Sequence, residues 1–287
     1  MLSQLRYRIG RAFLYLCMIV LLFAIFAPLY WLFVSSISTR SELLNVPPHW
    51  FPHAPTLQNY LDILAPTDEA SRASTNFRFA LGNSVFVSSV VTVISLFFGS
   101  LAAYAFARLT FPFRKAGLYL YLSVRMLPAI SLVIPLYIIL RDASLLNSTT
   151  ALILVYLSFT LPFVIYIMVT FFESIPRELE DAARVDGCSR VGLLWRIILP
   201  ISAPGLVASG VFAFLLSWDE FFYALLFTST PVAKTVPIAL AEFTGRNATD
   251  YPAQSAAAML ALIPPVLLVL LFQRFIVSGL TSGAVKG

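Results

Sequence analysis

Six long apolar runs constrain this chain more than any other feature. They cover residues 13–36, 79–107, 116–140, 150–172, 203–228 and 254–277, and each is long enough for a helix that needs roughly 20 residues to cross a hydrocarbon core. The charges cluster between the runs, as they must in a chain that alternates between lipid and water. Hydrophobic residues make up 59% of the sequence, charged residues 11%, and the mean hydropathy is +0.87. Ordinary soluble domains have about 45–50% and about 25%, so a water-soluble globule of this length has no way to hide so much apolar surface. The runs predict an all-α polytopic membrane protein with six transmembrane helices.

The first run follows Arg6, Arg8 and Arg11 and has to be weighed against a cleaved leader. Its apolar stretch is too long for a leader's core, and the small residues Ala24 and Ala27 are followed by Pro28, so a retained helix is expected. Six spans with the N-terminus inside put twelve basic residues in cytoplasmic segments, six outside and Arg125 within the membrane, which accounts for all 19. This bias predicts two cytoplasmic termini. The chain then divides into a cytoplasmic N-terminus at 1–12, a first span at 13–36 and an extracytoplasmic loop at 37–78. A five-helix core at 79–277 follows, with a cytoplasmic connector at 174–202 and a cytoplasmic tail at 278–287.

That connector is the one long cytoplasmic segment. Pro176 suits a first helical turn, Glu178, Glu180 and Asp181 complement the positive end of the helix dipole, and Gly187 supplies a stop. Leu179, Ala182, Ala183 and Asp186 recur at helical spacing, which predicts a small, smooth face suited to a groove in another protein. An ordinary interhelical connector is the alternative. Beyond it a second amphipathic helix is expected, with Arg190 and Arg196 outward, Leu193, Leu194 and Ile197 inward, and Pro200 ending the pattern.

Asp181-Ala182-Ala183, then three residues, Gly187, nine residues and Ile197-Ile198-Leu199-Pro200 resemble the EAA loop of ABC importer permeases. The family's triplet usually opens with glutamate; here Asp181 stands there, preceded by Glu180, so the charge is kept on a side chain one methylene shorter. Leu127-Pro128, Ile134-Pro135-Leu136-Tyr137, Ser217-Trp218-Asp219-Glu220-Phe221 and the tail from Gly279 to Gly287 look like the maltose-type branch of carbohydrate permeases, so the likeness covers nearly the whole chain. The resemblance implies a type I importer fold in which the connector is a coupling helix seated in a cytoplasmic ATPase. Glu180, Asp181, Ala182, Ala183, Gly187, Ile197, Leu199 and Pro200 would be the coupling residues. It also implies a second permease subunit, two ATP-binding subunits that hold ATP and magnesium, an extracytoplasmic solute-binding protein and a sugar substrate.

The chain itself carries no phosphate-binding loop, because none of Lys115, Lys234 and Lys286 follows a glycine. No cofactor is expected on it, and hydrolysis belongs to a partner. An ion-coupled transporter or channel is the rival reading, and it would draw on Arg125, Asp219 and Glu220 within the spans. Arg125 should face protein or water, since an arginine at midplane costs about 2.5–3.5 kcal/mol on insertion scales. Asp219 and Glu220 are expected on one helix, about 100° apart. An embedded enzyme lacks support, because the spans contain no histidine and no nucleophile paired with a base. His49 and His53 lie near each other in one loop without further metal ligands, and Cys17 and Cys188 suggest no disulfide.

Asn83, Arg125, Tyr156, Trp218, Asp219, Glu220 and Tyr223 are the candidate lining of a translocation pathway, with Tyr166 beside them; for each, helix packing or interfacial anchoring is the alternative. Pro128, Pro135, Pro162, Pro204, Pro264 and Pro265 interrupt backbone hydrogen bonding in or beside spans. Such breaks serve rocking between access states, or static kinks. Ser84, Ser88 and Ser95 at helical spacing point to close helix packing.

Overall fold

A computed structural model describes residues 2–45, 49–65, 72–244 and 249–282. In chain order its α-helices are α1 (Leu2–Ser36), α2 (Arg40–Leu43), α3 (Gln58–Leu64), α4 (Arg72–Arg108), α5 (Arg114–Ser123), α6 (Ala129–Asp142) and α7 (Thr149–Ser174). There follow α8 (Arg177–Val185), α9 (Arg190–Leu193), α10 (Leu199–Ile201), α11 (Ala203–Trp218), α12 (Phe222–Phe227), α13 (Val236–Glu242) and α14 (Tyr251–Ser282). Among the described residues there is no strand, only one bridge between Thr244 and Thr249. The all-α expectation agrees with this.

Four helices are long and apolar enough to cross a membrane unaided: Tyr7–Ser36, Ala73–Arg108, Thr149–Ser174 and Tyr251–Ile276. The other two expected spans are bent. The third run turns by 93° between Arg114–Met126 and Ala129–Asp142. Pro128 is the cause: it lacks the N–H a continuing helix requires, and it forces Leu127 out of the helical region to ψ 128°. The fifth run is entered through an 81° bend, between Arg190–Ile201 and Ala203–Trp218. Its helix stops at Trp218 after 16 residues, about 24 Å at 1.5 Å per residue. Six spans result when each bent pair counts as one.

This break corrects one expectation. Asp219 and Glu220 do not share a helix; they occupy the turn between α11 and α12. Glu220 accepts the backbone N–H groups of Tyr223 at 3.0 Å and Ala224 at 3.2 Å, so its carboxylate caps α12. A second correction concerns Pro200. The chain widens into a π-turn at Leu194–Ile198, where the Leu199 N–H reaches the Leu194 carbonyl. That extra residue per turn accommodates the missing proline donor, and the helix runs on to Ile201 before breaking at Ser202.

The chain forms two compact units. One takes in Met1–Arg78 and Leu240–Leu262. There the Ser36 and Tyr60 hydroxyls lie 2.6 Å apart, and the Asn59 amide donates to the carbonyls of Ser36 and Ser38, tying α3 to the end of α1. Most of α1's apolar side chains are uncovered by the chain, as on a helix that meets hydrocarbon or another subunit. In the expected loop, Val46, Pro47 and Pro48 lie outside the described residues, while the His49 and His53 rings meet edge to face at 4.3 Å. Helix α4 begins at Arg72, within the segment expected to be loop.

The other unit takes in Phe79–Ala239 and Ile263–Gly287. Its centre is the packing of α4, α7 and α11, which approach through small residues. A side-chain carbon on Gly205 would come within 2.3 Å of the Phe171 ring, and one on Gly99 within 2.7 Å of Val164. Ser95 and Thr160 share a buried hydrogen bond of 3.0 Å, and Ser84 accepts the Val236 N–H at 2.8 Å. The serine series on α4 therefore serves packing, as its spacing suggested. Asn147 accepts the N–H groups of Ser229 and Thr230 and donates to the Thr230 hydroxyl, so its polarity has a structural use.

Candidate functional site

The connector folds into a self-contained elbow. Pro176 precedes α8 with its own φ at −57°, and it brings no N–H to a helix start that would leave one unpaired. Glu178 and Glu180 stand in the first turn and Arg184 in the last, each at the end of the dipole that favours its charge. Gly187 takes φ +81°, a conformation that costs any other L-residue steric strain. Its N–H donates to the Arg184 carbonyl at 3.0 Å, and the Cys188 N–H donates to Ala183 at 2.9 Å. These paired bonds close the helix in a Schellman stop. Ser189 then accepts the Gly192 N–H at 3.2 Å and starts α9.

The elbow has an inner and an outer face. Ala183, Leu193, Leu194, Ile198 and Leu199 are buried in one core with Ala103, Tyr104 and Ala107 of α4 and Met168 and Phe172 of α7. Ile197 packs against that core, and Arg190 and Arg196 point outward, as the periodicity predicted. The expected smooth patch is split, however. Leu179, Asp181, Ala182, Asp186 and Gly187 are exposed, whereas Ala183 and Glu180 point inward. Two residues that the pattern left out join the outer face: Val185 is 88% exposed and Val191 is 68% exposed. The signal was available, since an apolar side chain on each side of the Gly187 stop stands out in so charged a segment.

Glu180 is removed from the outer face by Arg108, the last residue of α4. The two side chains form an ion pair in which each is only 4% exposed. A second arm of the same guanidinium donates to the Ile175 carbonyl at 2.7 Å, where α7 ends. The other Glu180 oxygen faces Arg184 at 3.6 Å, and Arg184 also meets Asp181 at 3.4 Å. Asp181 remains 70% exposed on its side chain. Nothing local in the sequence singles out Arg108, because its partner Glu180 lies so distant along the chain.

The candidate pathway residues are not brought into one group. Tyr156 and Tyr223 are buried in an aromatic cluster with Phe159 and Phe227, where Tyr223 stacks on Phe159 at 12° and on Phe227 at 23°. Glu220 neighbours this cluster through its cap on Tyr223. Trp218 is buried against Phe214 with ring centroids 5.6 Å apart. Asn83 spends its amide on the carbonyls of Pro231, Val232 and Lys234 at 3.0–3.1 Å, pinning that turn. Arg125 sits in the short turn of Val124–Met126 at the break between α5 and α6, its guanidinium 5.3 Å from the centre of the Phe163 ring. Arg125, Asp219 and Tyr166 are exposed on this chain. An apolar cleft of about 710 Å³ opens between α4, α5 and α7, lined by Phe98, Leu101, Phe106, Leu120, Tyr121 and Leu161; none of the candidate residues lines it. Among the described residues no group of three histidine, cysteine or acidic side chains is placed to hold a metal.

Known proteins share both the sequence and the fold. Residues 95–282 match the family model described as binding-protein-dependent transport system inner membrane component. The sulfoquinovosyl glycerol transport system permease protein SmoH of Agrobacterium fabrum is 42% identical over 91% of this chain and 88% of its own length. The trehalose transport system permease protein SugB of Mycobacterium tuberculosis is 39% identical, covering 91% of this chain and 92% of its own. A solved bacterial ABC transporter involved in the import of the acidic polysaccharide alginate has a chain that superposes with a TM-score of 0.79 over 93% of this one and 96% of its own, at 20% identity. That last likeness speaks for the fold. The match spans α7, the whole elbow and α11, the elements that compose the site just described, and it answers the rival readings of ion-coupled transporter and embedded enzyme. The chain belongs to the binding-protein-dependent transport system inner membrane components, as a permease subunit of an ABC transporter.

Proposed function

We propose that this permease imports a sugar, forming half of the translocation pathway and borrowing its motor from two cytoplasmic ATP-binding subunits. The observation that carries this reading is the elbow itself. Its outer face offers Leu179, Ala182, Val185 and Val191 to solvent beside Asp181, and its inner face is rooted in the core of the span helices. A short, rigid, partly apolar projection of this kind suits a groove on another protein. ATP and magnesium would reside on that partner.

The sugar enters the reading through the relatives, whose names specify sulfoquinovosyl glycerol and trehalose. A second permease subunit would complete the pathway, in keeping with an apolar cleft and scattered polar residues on this chain alone. An extracytoplasmic binding protein would deliver the substrate, and both termini would lie in the cytoplasm of a bacterial cell. Of the pathway candidates, Arg125, Asp219 and the neighbouring Tyr166 are the ones with surface available to a substrate or to the second permease, while Asn83, Tyr156, Trp218, Glu220 and Tyr223 would act by holding the wall.

In this mechanism, closure of the ATPase pair swings the elbow as a lever and switches the cavity between outward and inward access. Gly187→Val tests it, since valine at φ +81° is strained and would turn the outer face. The expected outcome is a chain that inserts normally but loses about tenfold or more of ATP-driven uptake. Normal ATPase association with undiminished uptake would refute the lever.

A further inference from the structure

We infer that Arg108 is a positioning residue that clamps the elbow to α4, so that force arriving at the elbow moves that span directly. The inference rests on the reading of the elbow as the ATPase-docking lever and adds the element to which the lever is attached.

The geometry points to a clamp. Arg108 closes α4, and its guanidinium engages two separate things at once: the Glu180 carboxylate on α8 and the Ile175 carbonyl at the end of α7. One rigid fork therefore fixes the junction of α7 and α8 against the end of α4, a task suited to the planar arginine side chain. Both charged groups are removed from water. A buried pair of this kind does not readily exchange partners, because leaving either charge alone in the interior is costly. Glu180 is further braced by Arg184 from its own helix, and Tyr104, Ala107 and Phe172 pack around the junction. By contrast, Asp181 and Arg184 beside it are half or more exposed, so the Arg108–Glu180–Ile175 contact is the buried polar part of a joint whose apolar part is the packing of Ala183, Leu193, Leu194, Ile198 and Leu199 against the spans.

The alternative is that Arg108 merely stabilises the fold, and the two roles differ in what nucleotide does. The test uses the assembled transporter with its ATPase subunits in lipid nanodiscs. Cys17 and Cys188 are replaced, and spin labels are placed at the exposed positions Glu178 on α8 and Val93 on α4. The distance between labels is measured without nucleotide and with ATP plus vanadate. With Arg108 present, the elbow and α4 move together and the distance changes by less than about 2 Å. In Arg108→Gln the distance changes by more than about 5 Å between the two states, because closure of the ATPases now moves the elbow alone. Arg108→Lys, which keeps the charge but not the fork, falls between them. A native transporter whose label distance itself changes by more than about 5 Å, or an Arg108→Gln variant that behaves as the native one does, overturns the clamp. Failure of the ATPase subunits to co-purify with the native chain would instead refute the docking reading, and the width of the nucleotide-free distribution, broader in Arg108→Gln than in native, would still decide whether the fork holds the elbow to α4.

Discussion

Arg108, Glu180 and Gly187 show how single residues set the elbow's shape. Removing one member of a buried ion pair leaves the other uncompensated, at about 3–5 kcal/mol, whereas replacing both by apolar residues of similar size is often close to neutral. Arg108→Leu or Glu180→Leu alone should therefore lower the detergent-solubilised protein's thermal stability sharply, and the double variant should recover most of it; an additive double variant would show that the two do not interact. In the loop expected outside the membrane, Glu42 gives a pH prediction. Its partial desolvation works to raise the carboxyl's pKa, but the N–H groups of His53, Ala54 and Thr39 and the His53 ring outweigh that and hold it below the ordinary 4.5. A depressed folded value means that the stabilisation is complete above the unfolded value and is lost as pH falls through the folded one. Amide exchange at His53 and Ala54 should accelerate relative to intrinsic rates as pH falls below the ordinary glutamate range, and Glu42→Gln should abolish that dependence. Pro176 and Gly187 were legible in the sequence because their constraint is local. The role of Arg108 was not, because its partner is brought to it only by the tertiary fold.

At the level of elements, length and hydropathy located every apolar segment, since the requirement to bury backbone polar groups in lipid is written along the chain. They did not reveal direction. The third run reads as continuous in hydropathy yet turns by 93° at Pro128, and the fifth ends at Trp218 although the apolar pattern continues. Likewise Pro200 reads as a stop until a π-turn absorbs it. The contact of α7 with α11 is equally hidden, because it depends on Gly205 meeting the Phe171 ring. Gly205→Leu should force these helices apart at a cost of about 1–3 kcal/mol, seen as a lower melting temperature. Phe171→Ala in the same chain should restore part of the loss, and strict additivity of the two changes would contradict this contact.

For the whole molecule, the proposed orientation rests on charge bias and on the elbow's expected partner, and it can be tested directly. In a chain lacking Cys17 and Cys188, a cysteine at Asp181 should react with a membrane-impermeant maleimide only in inside-out vesicles. One at Asn59, in the expected outer loop, should react only in right-side-out vesicles; the reverse pattern would invert the topology. The family was recognisable from the elbow's spacing, while the division of its residues into an outer docking face and an inner anchored face needed the fold. The pathway was the least legible part, since polar residues that look available on a helix are committed to capping, stacking and turn-pinning inside the chain. The most direct measurement is uptake of labelled trehalose and of sulfoquinovosyl glycerol into proteoliposomes. These contain either this chain alone under a proton or sodium gradient, or the chain with its partner permease, ATPase subunits and binding protein, supplied with ATP on the ATPase side. The account predicts sugar accumulation only in the complete, ATP-supplied system. Gradient-driven uptake by the chain alone, or sugar accumulation by the complete system without ATP, would contradict it.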